Sequence, residues 1–205
     1  MTAESYDRVA LDYAARFLGE LADKPLDRLL LNLLAERVDG MGAIADLGCG
    51  PGHVARYLHD HGAPSLGMDL SARMVEIAAE RHPGIGFHVG DMRALRVPDQ
   101  AWGGIVAFYS IIHLPPTQLG EAFSEFFRVL RPGGTLLLSF HLGDELRHFD
   151  ELWGHEVSLD FQFYQRDVVE SALAKVGFAT DVYVERKPYE SEVSTNRAYL
   201  LAHRP

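Results

Sequence analysis

The stretch Ile44-Ala45-Asp46-Leu47-Gly48-Cys49-Gly50-Pro51-Gly52-His53 has the composition of a ligand cradle. A short apolar run ends on Asp46, glycines follow at alternate positions, and a helical pattern starts at Val54. Glycine is needed where the backbone takes a positive φ, or where a ligand must approach the main chain closely. Two further acids stand where later strands end. Asp69, in Gly67-Met68-Asp69-Leu70-Ser71, sits where a carboxylate can accept hydrogen bonds from both hydroxyls of a ribose held over the loop. Asp91, in Gly90-Asp91-Met92, could accept from an exocyclic amine while Met92 packs on the face of the base. Three successive strand ends thus carry groups for a nucleoside-bearing cofactor. The loop alone would serve a dinucleotide equally well, since the G-x-G-x-x-G turn is a close relative.

Candidates for proton chemistry lie further on. His113 follows the fourth strand, His141 ends the fifth, and His148 lies in the segment after it. An imidazole titrates near neutrality and suits base work there. The segment Leu142 to Gln165 reads as the longest irregular piece beside the pocket and carries Phe149, Trp153, Phe161, Phe163 and Tyr164. Val157, Leu159, Phe161 and Phe163 alternate with polar residues, as in a half-buried strand, and the same aromatics could wall an apolar acceptor site for a flat or cyclic substrate. No H-E-x-x-H or comparable ligand pair is present, so no metal is expected. Cys49, the single cysteine, excludes an internal disulfide and a cysteine zinc cage, and reads as a small residue in a crowded turn.

These residues need a frame. The 205 residues suit one domain with a substantial core. Tyr6, Val9, Ala10, Tyr13, Phe17 and Leu21 form one helical stripe, and Leu26, Leu29, Leu30, Leu33, Leu34 and Val38 a second after Pro25. Both helices precede the first strand, so they are free to cover a ligand as a lid. Strands then alternate with helices: 64–71, a helix to Arg81, 85–92, the nearly all-apolar 105–110, a helix over 117–130, and 135–140. Alternation of this kind predicts a doubly wound, mostly parallel sheet with ligands at the strands' carboxyl ends. Nineteen basic against twenty-nine acidic residues give a net charge of −10, which argues against nucleic acid. No apolar run approaches the ~20 residues of a membrane span, and the N-terminus lacks signal-peptide character, so a cytoplasmic location away from membranes is expected.

The run Asp-Leu-Gly-Cys-Gly-Pro-Gly (46–52), Gly-Met-Asp-Leu-Ser (67–71), Gly-Asp-Met (90–92), Ser-Ile-Ile-His-Leu (110–114) and Arg-Val-Leu-Arg-Pro-Gly-Gly-Thr-Leu (128–136) resembles the class I S-adenosylmethionine-dependent methyltransferases, most closely their small-molecule branch. The resemblance implies an α/β Rossmann-like, doubly wound, seven-stranded sheet of order 3-2-1-4-5-7-6 with one antiparallel strand. It implies one methyltransferase domain over 1–205: N-terminal cap helices (1–40), a cofactor-binding core (41–141), an acceptor-side segment (142–165), and a C-terminal helix with an antiparallel strand pair (166–205). S-adenosyl-L-methionine would be the cofactor and S-adenosyl-L-homocysteine the product. Its methionine portion would lie against Gly48, Cys49, Gly50 and Gly52, with Asp46 anchoring the loop. Asp69 would hold the ribose, Leu70 would flank the adenine, Asp91 and Met92 would bind its edge and face, Tyr109 would lie near the methionine moiety, and Tyr13 would act from the lid. The family often has an acid before the fourth strand, where this chain has Trp102-Gly103-Gly104.

The expected reaction moves a methyl group to an O, N or C nucleophile of a small aromatic or cyclic metabolite, with His141, His148 or His113 as base where one is needed. Amino-methylating enzymes of nucleic acids carry an Asn/Asp-Pro-Pro-Tyr/Phe signature at the end of strand four, where Phe108-Tyr109-Ser110-Ile111 stands here. A non-catalytic module or partner subunit that binds the cofactor or its demethylated product is the alternative. A nucleotide-dependent oxidoreductase is disfavoured because Asp91-Met92 and Arg131 to Gly134 have no part in its fingerprint. Monomer and homodimer are equally open.

Overall fold

The computed structural model describes residues 2–205. Its strands are β1 (Ile44–Leu47), β2 (Ser65–Asp69), β3 (Gly86–Val89), β4 (Trp102–Phe108), β5 (Leu130–His141), β6 (Leu146–Leu152), β7 (His155–Gln162), β8 (Ala179–Arg186) and β9 (Arg197–His203). Its helices are α1 (Thr2–Phe17), α2 (Pro25–Arg37), α3 (His53–Asp60), α4 (Ala72–Arg81), α5 (Leu119–Val129) and α6 (Arg166–Val176). A parallel strand covered on both faces must be apolar throughout, and β1 and β4 are buried along almost their whole length. Seven strands form one sheet in the order β3-β2-β1-β4-β5-β9-β8. The separate hairpin β6-β7 shifts the last two labels. Within the large sheet alone the order is the expected 3-2-1-4-5-7-6, and β9 runs antiparallel to both its neighbours.

One face of the sheet buries Phe123, Phe126, Val169 and Leu173 of α5 and α6, and the other buries Leu30, Leu31 and Leu34 of α2 with Val54 and Leu58 of α3. Burial on α2 corrects the predicted stripe: Leu29 is 62% exposed, and Leu31 takes its place in the core. Residues 30, 31, 34 and 38 share the face that meets the sheet at 100° per residue. Trp102-Gly103-Gly104 belongs to β4, not to the loop before it. A Cβ on Gly103 would stand 2.8 Å from that of Met41, so the position is filled by packing. No described helix is long and apolar enough to cross a membrane.

Residues 142–165 are not the irregular segment expected. Most of them form the β6-β7 hairpin, paired from Leu146↔Gln162 to Leu152↔His155. Its inner face, Val157 and Leu159, packs on Val9 of α1. Polar contacts reinforce that docking: the Ser158 N–H donates to Ser5 Oγ at 2.9 Å, Arg8 donates to the Glu156 carbonyl at 3.0 Å, and His155 meets Asp12 at 2.8 Å. On its other side α1 packs Ala10 and Ala14 against Met74 and Ile77 of α4. The hairpin and α4 therefore hold α1 over the carboxyl ends of the central strands.

Candidate functional site

A cavity of about 380 Å³ opens at those strand ends, under α1. Its floor is the loop after β1. Asp46 is 2% exposed, and its Oδ2 accepts from the Ala55 N–H at 3.2 Å, which ties the loop to the first turn of α3. Gly48 and Cys49 both donate to the Met68 carbonyl, Gly50 donates to Asp69 Oδ2, and Gly52 donates to the Cys49 carbonyl. The loop's N–H groups are thus engaged within the protein, and what Gly48 and Gly50 offer a ligand is the absence of a side chain. At Gly48, φ is +77° and a Cβ would stand 2.3 Å from the Ser110 Cβ, so only glycine fits.

Asp69 closes the floor. Its two oxygens accept one backbone N–H each, from Gly50 and from Ser71, both at 2.8 Å, which fixes the carboxylate while leaving a further acceptor position on each oxygen. Burial raises its pKa, and no cation is paired with it among the described residues. Burial also lifts Asp46 to about 7, against the opposing charge of His53 and the Ala55 N–H. At the far end Leu70, Asp91 and Met92 line the cavity. Arg93 clasps Asp91 with contacts of 3.0 and 2.6 Å, and also donates to Gln118 at 2.8 Å. Hydrogen bonds from Arg93 lower the Asp91 pKa, so it remains an ionised acceptor.

The remaining wall is aromatic. Tyr6 and Tyr13 of α1 meet edge to face at 5.8 Å, and Tyr109 faces the cavity from the end of β4. Tyr109 holds φ at +49°, with its N–H donated to the Ser139 carbonyl at 3.0 Å. His113 lies beside Tyr6. Its Nδ1 is 2.9 Å from the Asp160 carbonyl, which can only accept, so Nδ1 carries the proton and Nε2 accepts from the Tyr6 hydroxyl at 2.8 Å. Burial pulls the His113 pKa down to about 4, and the ring is neutral across the working pH range.

Of the predicted cofactor residues, Tyr13, Gly48, Gly50, Asp69, Leu70, Asp91, Met92 and Tyr109 line this cavity. Asp46, Cys49 and Gly52 support it from behind. The Cys49 thiol is buried and its pKa pushed well up, while Gly52 makes room for the ring of Phe87, which a Cβ would approach to 2.7 Å. Of the predicted bases only His113 reaches the cavity. His141 lies behind Tyr109, stacked on Phe163 and hydrogen-bonded to Thr195 Oγ1 at 2.9 Å. His148 sits on the outer hairpin strand between Asp160 at 2.7 Å and Asp150 at 3.1 Å. His148→Ala is accordingly expected to change turnover by less than about twofold, as an exposed pair contributes little, in a steady-state comparison with wild type.

The predicted acceptor wall is also corrected. Phe149, Trp153, Phe161, Phe163 and Tyr164 all lie outside the cavity lining. Trp153 packs on Tyr13 and Phe17, Phe161 on His113 and Phe149, Phe163 on His141, and the Tyr164 hydroxyl donates to the Leu114 carbonyl. They secure the lid and the turn after β4. Sequence reasoning missed Ser110, Arg93, Gln118 and Met74 as lining residues. Ser110 opens the quoted run 110–114 and Arg93 follows the quoted 90–92, whereas nothing in the pattern marked Gln118 or Met74.

A family model described as a methyltransferase domain matches residues 44–134. The chain is 28% identical over 178 residues to a malonyl-acyl-carrier protein O-methyltransferase of Enterobacter lignolyticus, an alignment covering 84% of this chain and 66% of the relative. It is 34% identical over 106 residues to a probable S-adenosylmethionine-dependent methyltransferase of Mycolicibacterium smegmatis, covering 52% of this chain and 40% of the relative. The chain spans less than two thirds of the length of these curated relatives. The crystal structure of the cyclase SpnF superposes with a TM-score of 0.74 at 20% identity, over 100% of this chain and 96% of that one. That likeness shows the fold; SpnF is a [4+2]-cyclase. Residues 44–134 thus match a methyltransferase domain, and the glycine loop, strand-end acids and sheet order are those that the resemblance to the class I S-adenosylmethionine-dependent methyltransferases implies.

Proposed function

We propose that the chain transfers the methyl group of S-adenosylmethionine to a nucleophilic atom of a small, flat or cyclic molecule. The observation that carries this reading is the meeting, in one cavity, of the carboxylate Asp69, the Asp91-Met92 pair and an aromatic wall of Tyr6, Tyr13 and Tyr109. The residues fit the cofactor: Asp69 keeps acceptor positions for ribose hydroxyls, Leu70 and Met92 provide apolar faces for adenine, and Asp91 an acceptor at its edge. When bound, S-adenosylmethionine supplies an electrophilic methyl on a positively charged sulfur. Asp69, with no cation paired to it among the described residues, gives the site a negative character, and tyrosine faces favour a positive ligand by roughly 0.5–2 kcal/mol each.

No oxyanion develops in such a displacement, so alignment is the main task, and holding both reactants in attack geometry can account for roughly 7–11 kcal/mol of barrier. Neutral His113 fixes the Tyr6 hydroxyl, whose oxygen can take a hydrogen bond from an acceptor. A group with a pKa near 4 is a weak base, which suits an acceptor that reaches the site already deprotonated. Tyr6→Phe and His113→Ala should each lower kcat about tenfold, short of the 10²–10⁴ of a full general base, while cofactor affinity from calorimetry stays within a few fold. A drop confined to cofactor affinity would assign the pair to binding instead.

Incubation with methyl-labelled cofactor and a fractionated metabolite extract tests the function. A labelled small product supports transfer. Tight cofactor binding with reproducible absence of any labelled product favours the binding module.

A further inference from the structure

Between β8 and β9 the chain turns Glu192 inward, leaving its side chain 5% exposed. Cations converge on it. Arg186 grips both carboxylate oxygens, at 2.6 and 2.9 Å, Arg197 Nε lies at 3.3 Å and Lys24 Nζ at 3.5 Å, and the Tyr189 N–H donates at 2.8 Å. Lys24 and Arg197 are themselves buried, at 7% and 3% exposure. Glu20, 2.5 Å from Lys24, and Asp27, 3.4 Å from Arg186, bring two negative charges, so Glu192 completes a balance of three against three. Burial would raise the Glu192 pKa, but the hydrogen bonds of Arg186 and Tyr189 and the charges of Arg197 and Lys24 overcome it and hold it at about 2. Burying so many charges to fasten one surface turn is costly when apolar packing would suffice.

The cluster abuts the cavity through Tyr109. The Tyr199 hydroxyl donates to Asp27 at 2.9 Å, so the Tyr109 hydroxyl, 3.0 Å away, is the donor to Tyr199, and Arg186 donates to the same oxygen at 2.7 Å. Lys24 Nζ lies 5.6 Å from the centroid of the Tyr109 ring. The turn that carries Glu192 is held largely by the same cations: Arg186 donates to the Lys187 carbonyl at 3.2 Å and lies 3.9 Å from the centroid of the Tyr189 ring, and Arg197 donates to the Val193 carbonyl at 2.9 Å. Thr195 Oγ1, 2.9 Å from His141, and Tyr189, accepting from the Leu26 N–H at 3.3 Å, tie it to the body, while Val193 is 65% exposed.

We propose that Glu192 occupies the place of the methyl acceptor's own carboxylate. The Arg186 fork, Lys24 and Arg197 form an anion subsite that the turn 187–195 plugs, and an acceptor bearing a carboxylate displaces Glu192 and lies along Tyr109 toward the cavity. The planar two-oxygen grip of Arg186 matches a carboxylate. This rests on the methyltransferase reading of the adjoining cavity and adds to it the substrate class and an autoinhibitory contact.

The test uses benzoate, benzamide and phenyl phosphate as probes, titrated calorimetrically into the full chain with and without saturating S-adenosylhomocysteine. Glu192→Ala should bind benzoate about tenfold more tightly than wild type, the gain of removing one competing carboxylate, and adding Arg197→Gln should abolish that gain. Benzamide should bind neither protein. Equal benzoate affinity in wild type and Glu192→Ala, or benzamide or phenyl phosphate binding as well as benzoate, would overturn the proposal. Hydrogen exchange on the wild type gives a reading independent of any variant's folding. Benzoate should speed exchange of the 187–195 amides, and unchanged exchange at saturating benzoate counts against the plug. Failure of S-adenosylhomocysteine to bind would strike the methyltransferase reading alone, since the benzoate arm without it still reports the subsite.

Discussion

Replacing Asp69 by alanine should weaken S-adenosylmethionine binding by about 3 kcal/mol, on the order of a hundredfold in Kd. The carboxylate has two tasks. Its free acceptor positions would take charge-assisted bonds from the ribose hydroxyls, each worth roughly 1.5–3 kcal/mol. Its other acceptor positions hold Gly50 and Ser71 by their N–H groups, so removing it also frees the glycine loop and the cap of α4. Asp69→Asn keeps one acceptor oxygen and should fall between wild type and alanine. Calorimetric titration of the three proteins checks the order, and equal affinities would remove Asp69 from the site.

Asp46→Asn should instead stabilise the fold at alkaline pH. Asp46 is buried and its pKa is raised from its ordinary 3.8 to about 7. Below 3.8 both folded and unfolded chains hold the proton and the group contributes nothing. As pH rises from about 4 to about 7, the unfolded state loses a proton that the folded state keeps, so stability falls, and above 7 the loss is constant. Three pKa units correspond to on the order of 4 kcal/mol. Asparagine keeps an oxygen for the Ala55 N–H without the charge. Denaturant melts at pH 8 should show the variant more stable by on the order of 3 kcal/mol, with the curves converging near pH 4. A variant less stable at pH 8 would mean that the ionised Asp46 is compensated by its surroundings. Saturating cofactor should narrow the difference, because a positively charged ligand favours the ionised carboxylate.

The legible parts of this chain were those governed by local rules. Glycine at 48 and 50, acids at 69 and 91 and the strand-helix alternation from 44 to 140 depend on backbone conformation and on what can end a parallel strand, and each left a mark in residue type and spacing. The sheet's reversed strand followed from the resemblance. The acceptor side was misread for a physical reason. Alternation in Val157, Leu159 and Phe161 reveals a half-buried strand but not which surface covers it, and here that surface is α1. The aromatics of 149–164 consequently hold the lid, while the cavity's aromatic wall comes from Tyr6, Tyr13 and Tyr109. His148 and His141 were equally invisible as outsiders, since orientation within a hairpin and behind Tyr109 is a matter of tertiary contact. Glu192 and its cations come together from Lys24 just before α2, from β8 and β9 and from the turn between those two strands, a juxtaposition that no sequence window contains.

The central claim is that the cavity beneath α1 holds a sulfonium nucleoside through Asp69. Calorimetry with S-adenosylmethionine, S-adenosylhomocysteine and NAD on the wild-type chain tests it most directly. One-site binding of both adenosyl ligands with no detectable heat from NAD is the predicted result. Binding of NAD with comparable affinity, or no binding of either adenosyl ligand, would contradict it.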